Sequence, residues 1–140
     1  MLSVSDIDRY HFRMTDTHGG GTFDCDVDFV SDLVIIESDV PQHLRLTSIL
    51  GKAQREDIIQ SLSRLKVPET RSSPDPGTVI GKSEIYAKSR VTHRLVSLKD
   101  NRLMAEFALH LVSIAQYMGL SDSHVEYWAN VIKREHILGK

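Results

Sequence analysis

Two stretches near the start of the chain alternate between apolar and polar side chains. In residues 9–14, "RYHFRM", the two aromatic residues and the methionine fall on one face and the basic residues on the other. In residues 23–29, "FDCDVDF", aspartates alternate with apolar side chains. A period of two predicts a half-buried strand, and the glycines between the stretches predict a turn. We therefore predict an N-terminal β-hairpin over residues of about 9–36, in which "LVII" either continues as a buried strand or starts a helix.

The rest of the chain alternates between helical and strand-like spacing. Leucines and isoleucines recur at helical intervals over about 42–66, where Gly51 would divide two short helices or separate a turn from one helix. Residues 68–77 are rich in proline and serine and are predicted to form a loop. Residues of about 78–98 are rich in β-branched side chains and predict one strand or two. A largely apolar helix, a turn and an amphipathic helix are predicted over about 101–138.

These elements predict a single α+β domain over residues 1–140. The N-terminal β-hairpin would belong to a small, mainly antiparallel sheet packed against helices, and a C-terminal helical hairpin would complete the core. A chain of 140 residues with a hydrophobic share of 41% can form one core without disulfides or metals.

The charge distribution and the cysteine content indicate which class of partner the chain can bind and which cellular compartment it occupies. Residues 1–50 hold three basic and nine acidic side chains, whereas residues 88–140 hold eight and five. Only the C-terminal part could therefore attract a polyanion. A lone cysteine, Cys25, is typical of a reducing compartment, so we predict a cytoplasmic protein. The longest apolar-rich stretch, residues 103–120, is too short and too polar to predict a membrane span.

The predicted C-terminal helices carry a pattern around a glycine. A small residue lets two helices cross closely, the glycine permits a tight turn, and the flanking apolar residues hold the second helix against the first. These positions are Ile114, Ala115, Met118, Gly119, Leu120, Val125 and Trp128. Residues 111–130 thereby resemble the helix-turn-helix motif of DNA-binding regulators.

The resemblance implies a small intracellular, non-enzymatic regulatory protein, most specifically a helix-turn-helix transcriptional regulator. The second helix would read DNA, and a homodimer would bind two half-sites. An unpaired edge of the N-terminal β-hairpin is one candidate for the dimer seam. The residues predicted to contact DNA or a protein partner are Ser121, Asp122, Ser123, Glu126, Tyr127, Asn130, Lys133 and Arg134.

The same pattern would also arise in a helical hairpin that only packs onto the sheet, because it reports contacts between helices and not what the outer side touches. Asp122 and Glu126 would meet DNA phosphates poorly. Together with Tyr127 they would form an acidic, aromatic surface suited to an arginine-rich protein. The alternative is therefore a protein-binding adaptor or inhibitor that does not bind DNA.

A third hypothesis concerns the segment "THGGGTFDCDVD". It resembles the His-Gly-Gly segment of some hotdog-fold acyl-thioesterases, in which the backbone polarises a thioester carbonyl and a carboxylate activates water. The resemblance would give catalytic roles to His18, Gly19, Gly20 and Asp28.

The aspartates of the second predicted strand have a simpler interpretation. Asp24, Asp26 and Asp28 would face the arginines and the histidine of the first strand and pair with them across the hairpin. A calcium loop would need turn residues between the aspartates, and the sequence has strand-forming residues there. We predict no metal site and no cofactor.

Overall fold

The structure, a computed structural model, describes residues 7–17, 19–64, 79–87, 90–98 and 102–135. These residues form six strands and three helices: β1 (Arg9–Asp16), β2 (Gly21–Asp28), β3 (Leu33–Ser38), β4 (Leu44–Ile49), α1 (Lys52–Arg64), β5 (Val79–Ala87), β6 (Arg90–Ser97), α2 (Arg102–Tyr117) and α3 (Asp122–Glu135). The α+β prediction is confirmed, and residues 78–98 supply two strands. The predicted loop at 68–77 lies outside the described residues.

All six strands belong to one antiparallel sheet with the order β4-β3-β2-β1-β5-β6. The N-terminal β-hairpin lies inside this sheet, because β1 also pairs with β5 and β2 also pairs with β3. The expectation that this hairpin offers an unpaired edge for a dimer is therefore wrong. In the described sheet, the terminal strands are β4 and β6.

One segment that was predicted to be helical contains a strand. Residues 44–49 form β4, so the predicted helical segment of about 42–66 is corrected to β4, a short connection and α1. The β4 sequence "LRLTSI" alternates, with Arg45, Thr47 and Ile49 on the more exposed face. β-Branched residues favour an extended backbone, and pairing with β3 supplies the hydrogen bonds. The apolar residues of β4 fall at helical intervals only when they are counted together with those of α1. This explains why the sequence spacing predicts a helix here.

The core lies between one face of the sheet and the three helices. Tyr10, Phe12 and Met14 of β1 are fully buried, and alternate residues of β2 and β3 continue the same face. The helices contribute apolar side chains to this cluster, including Leu111 and Trp128. The opposite face of the sheet, here called the outer face, carries none of the described helices. It presents the remaining, mostly polar residues of each strand to solvent.

Candidate functional site

The turn between α2 and α3 has the packing that the sequence pattern predicts. Gly119 adopts a φ of 118°, which L side chains rarely adopt. Leu120 donates its backbone N–H to the Ala115 carbonyl at 2.9 Å, which closes the end of α2. Ala115, Leu120 and Trp128 are buried. This arrangement fixes α3 against α2, and it fits a DNA-reading helix and a packing hairpin equally well.

Most of the contact residues predicted on α3 and its N-terminus face solvent. Asp122 accepts a hydrogen bond from Gln116 Nε2 at 3.2 Å, which ties the start of α3 to α2. Six of these contact residues carry two carboxylates and one ammonium group between them, and the half-exposed Arg134 guanidinium is paired with Asp16, so this side of α3 has no excess positive charge to attract a phosphate backbone. The six are Ser121, Asp122, Ser123, Glu126, Asn130 and Lys133.

The other two predicted contact residues, Tyr127 and Arg134, reach the turn between β1 and β2. An Arg134 N–H donates to Asp16 Oδ1 at 3.2 Å, and the Asp16 side chain is almost completely buried. The Tyr127 ring meets Trp128 edge to face, and burial together with the nearby Asp16 carboxylate raises the pKa of Tyr127. A Cβ at Gly19 would lie 3.3 Å from the Tyr127 hydroxyl, so the turn and the tyrosine pack closely. These two side chains hold α3 onto the sheet.

Two further contacts anchor α3 to β3 and to the connection that follows β3. The His124 side chain is fully buried, and its Nε2 donates to the Gln42 carbonyl at 2.6 Å. The Ser121 hydroxyl lies 2.5 Å from His124 Nδ1 and completes the pairing of the ring. Trp128 Nε1 donates to Ser38 Oγ at 2.9 Å. Buried polar groups are thereby satisfied along the inner side of α3.

On the outer face, charged side chains of β1 pair with those of β2 and β5. Arg9 donates two hydrogen bonds to the Asp26 carboxylate, at 2.8 and 2.5 Å. His11 lies between two carboxylates, with Nε2 at 2.8 Å from Asp24 and Nδ1 at 2.8 Å from Glu84. Because a carboxylate only accepts, both ring nitrogens donate, and His11 is an imidazolium. The predicted pairing is confirmed for Asp24 and Asp26, whereas Asp28 accepts hydrogen bonds from the backbone N–H groups of the turn that follows β2.

The pKa values of this charged network follow from its geometry. The hydrogen bond with Asp24 raises the pKa of His11, burial opposes it, and the bond with Glu84 adds to the rise. Burial alone would raise the pKa values of Asp24 and Glu84, but the hydrogen bonds from His11 and the nearby cations lower both. Within the described ranges, no three His, Cys, Asp or Glu side chains are arranged to hold a metal ion. The network joins β1 to both of its neighbouring strands through charged hydrogen bonds.

The residues of the thioesterase hypothesis are not brought together. Gly19 and Gly20 lie in the turn before β2, whereas Asp28 ends β2, roughly 20 Å away along an extended strand. His18 lies outside the described residues. Cys25, the chain's one thiol, is buried, and burial with the two neighbouring aspartates raises its pKa to about 12. It is therefore a core residue and not a nucleophile.

The outer edge of β4 is a surface that the sequence analysis missed. Hydrogen-bonded and non-hydrogen-bonded pairs alternate along an antiparallel ladder. Leu50 donates its N–H to the Asp32 carbonyl at 2.8 Å at the end of the β3–β4 ladder, so the backbone groups of Arg45, Thr47 and Ile49 point away from β3. The part of the chain that the structure describes supplies no strand beyond β4. We call these outward groups the β4 edge; the alternation of "LRLTSI" was the signal for it.

The arginine on the β4 edge, unlike the other arginines whose side chains are described, has no described carboxylate partner. Arg45 is exposed, and no described carboxylate lies within ion-pair distance of it. Glu37, directly opposite on β3, binds His43 instead, at 2.7 Å. Ile49 on the same edge is 80% exposed. The arginines that do have a carboxylate partner are Arg9, Arg13, Arg55, Arg102 and Arg134.

No protein-family model and no curated protein matches the chain. In the described part of the chain, no helix combines the length and the apolar character needed to cross a membrane. We therefore base the functional proposal on the geometry of α3, the outer face and the β4 edge.

Proposed function

We propose that this protein acts by binding another protein, as an adaptor or inhibitor. The observation that carries the proposal is a cluster of exposed apolar side chains at one corner of the sheet, here called the apolar corner: Val30, Leu33 and Ile49. Their exposures are 77%, 38% and 80%. Leu33 and Ile49 lie directly opposite each other on β3 and β4, and Val30 lies in the turn that precedes β3. Apolar side chains that remain grouped at a surface are typical of protein–protein contacts.

The electrostatics of α3 support a protein partner over DNA. Arg134 is engaged with Asp16, and Tyr127 packs beside it, so neither extends freely from the helix. The solvent-facing side of α3 then carries Asp122 and Glu126 against Lys133 and the half-exposed Arg134, whose charge is paired with Asp16. Binding to DNA draws most of its affinity from cations placed against phosphates, and this surface offers few. A cytoplasmic location is part of the same proposal, since Cys25 is a free, buried thiol.

The test is site-specific photo-crosslinking in the cells that make the protein. A photo-crosslinking amino acid at position 49 would lie in the apolar corner, and the matched control places it at position 116, an exposed site on α2. We expect one defined protein adduct from position 49 and none from position 116. The adduct should disappear when Leu33→Asp is added. Equal adducts from the two positions, or none from either, would reject the proposal.

A second candidate is DNA binding through the helix-turn-helix resemblance. It rests on the turn at Gly119 with Ala115 and Leu120 buried beside it, which is the packing that the motif requires and which a packing hairpin shares. Its test is fluorescence anisotropy with a duplex of mixed sequence at about 50 mM and about 200 mM salt. DNA binding through several phosphate contacts should weaken by orders of magnitude over that range. A protein partner held by the apolar corner should remain bound.

A further inference from the structure

We infer that the β4 edge accepts an extended segment of the partner protein as an added antiparallel strand, with an apolar side chain opposite Ile49 and a carboxylate opposite Arg45. The inference rests on the proposed protein-binding function and specifies how the partner binds. The partner segment would then have the pattern apolar-x-apolar-x-acidic from its N-terminus to its C-terminus, because it runs antiparallel to β4.

The backbone of β4 is suited to strand addition. The N–H and C=O groups of Arg45, Thr47 and Ile49 point outward in register, as derived from the Leu50–Asp32 hydrogen bond. Natural edge strands are commonly protected by charged side chains, proline or a bulge. β4 has no proline and pairs with β3 in a regular register, and its one charge, Arg45, would be neutralised by a carboxylate in the added strand. An extended peptide that pairs with such an edge gains main-chain hydrogen bonds, while its alternate side chains supply specificity.

The other side of β4 shows which side chains complement this strand. On β3, Leu33 lies opposite Ile49, Ile35 lies opposite Thr47, and Glu37 lies opposite Arg45. β3 therefore presents the pattern apolar-x-apolar-x-acidic to β4 within the chain itself. The Glu37 carboxylate is nevertheless occupied by His43, at 2.7 Å. Arg45 is left to attract a second carboxylate from the strand that is added outside.

A second copy of this chain is a poorer occupant of the same edge. In a symmetric antiparallel pairing of two β4 strands, Arg45 would lie opposite an arginine, a threonine or an isoleucine of the other copy, depending on the register. None of the six residues of β4 is acidic, so no such register neutralises Arg45. Charge complementarity therefore favours a different protein that carries an acidic residue in the added strand.

The experiment uses the full chain and a synthetic probe with the core Leu-Thr-Ile-Thr-Glu, flanked by Gly-Ser and labelled with a fluorophore. Two N-methylated probes provide the matched comparison. Residues opposite Arg45, Thr47 and Ile49 direct their N–H groups at β4. Methylation of the isoleucine nitrogen should therefore reduce affinity about tenfold or more, whereas methylation of the preceding threonine nitrogen should leave it nearly unchanged.

Charge reversal tests the side-chain part of the pattern. Arg45→Glu should weaken binding of the glutamate probe about tenfold, and a probe with lysine in place of glutamate should bind this variant better than it binds the wild type. Arg102→Glu, on the exposed side of α2, makes the same change in net charge and should leave probe binding unchanged. Far-ultraviolet circular dichroism of each variant confirms that it is folded.

The outcomes separate this inference from the proposed function. Selective loss with the methylated isoleucine, together with the charge swap, supports strand addition at the β4 edge. Equal binding of the two methylated probes, or no saturable binding up to about 1 mM, overturns it. If the position-49 crosslink persists in that case, protein binding stands and uses side chains alone. If the crosslink is also absent, the proposed function fails with it.

Discussion

The inner side of α3 and the β4 edge differ in how many of their polar groups have partners inside the chain. Beneath α3, Asp16 accepts from Arg134, and Tyr127 packs against the same turn. On the β4 edge, Arg45 has no described carboxylate partner, and Ile49 is largely exposed. The first region stabilises the fold, whereas the second lacks such partners among the described residues, and this is why we propose it as the binding surface.

This difference shows why residue type alone is a weak guide to a binding surface. Tyr127 and Arg134 are residue types that often act as interface anchors, yet here they attach a helix to its own sheet. Arg45 and Ile49 are ordinary residues of a short strand, and their availability follows from their place at the end of the sheet. A binding surface is identified by what its groups do not contact within the chain.

The largest expected effect tests the role of α3 as part of the core. Trp128→Ala removes a fully buried side chain and its hydrogen bond to Ser38, so the free energy of unfolding should fall by about 3–5 kcal/mol. Urea unfolding followed by circular dichroism measures the change. Val30→Ala, in the apolar corner, is the control and should change stability by less than about 0.5 kcal/mol. Similar losses of unfolding free energy in the two variants would contradict the claim that α3 belongs to the core and the apolar corner does not.

The next effect isolates the polar anchor beneath α3. Asp16→Ala leaves the Arg134 guanidinium and the Tyr127 hydroxyl without their buried acceptor, and should lower the free energy of unfolding by about 1–3 kcal/mol. Glu126→Ala, on the exposed side of the same helix, should change it by less than about 0.5 kcal/mol. If Asp16→Ala proves as mild as Glu126→Ala, the contact with Asp16 is not what holds α3 on the sheet.

The charged network of the outer face gives a pH-dependent effect. The folded pKa of His11 is raised above the ordinary histidine value of about 6.5, mainly by its hydrogen bond with Asp24. The stabilisation is therefore fully present below that value and is lost as pH rises through the folded pKa. His11→Gln should lower the free energy of unfolding by about 1–2 kcal/mol near pH 5.5 and by much less near pH 9. An equal loss at both pH values would mean that His11 is not an imidazolium.

The smallest expected effect concerns the β4 edge itself. Arg45→Gln and Thr47→Val should each change the free energy of unfolding by less than about 0.5 kcal/mol, because neither side chain has a described charged partner to lose. Urea titration at pH 7 measures both. A loss above about 1 kcal/mol would show that the edge is already used within the chain.

The strong period-two patterns made much of the fold predictable. "RYHFRM" and "FDCDVDF" keep their alternation over a whole strand, and their cross-strand pairing follows from opposite charges. β4 was harder to predict, because six residues give only three inward positions, and its apolar residues merge with those of α1 across Gly51. Whether these six residues form a strand or a helix is decided by their pairing with β3, and the sequence pattern of β4 does not show that pairing.

The candidate site was less predictable than the fold, again for a physical reason. The helical pattern correctly identified the residues that pack α3 on α2. Whether Tyr127 faces solvent depends on the β1–β2 turn, which lies more than a hundred residues earlier in the chain and reaches α3 only in the folded state. The β4 edge likewise exists only once the strand order is known.

The most direct test of the central claim is residue-resolved amide hydrogen exchange along β4, measured by NMR without and with the Leu-Thr-Ile-Thr-Glu probe. In the free protein, the amides of Leu46 and Ser48 should exchange slowly, because they bond to β3, and those of Arg45, Thr47 and Ile49 should exchange quickly. On addition of the probe, the three fast amides should become protected and the others should change little. Protection of all of them in the free chain, or no gain at positions 45, 47 and 49 with saturating probe, would contradict an open β4 edge that binds an added strand.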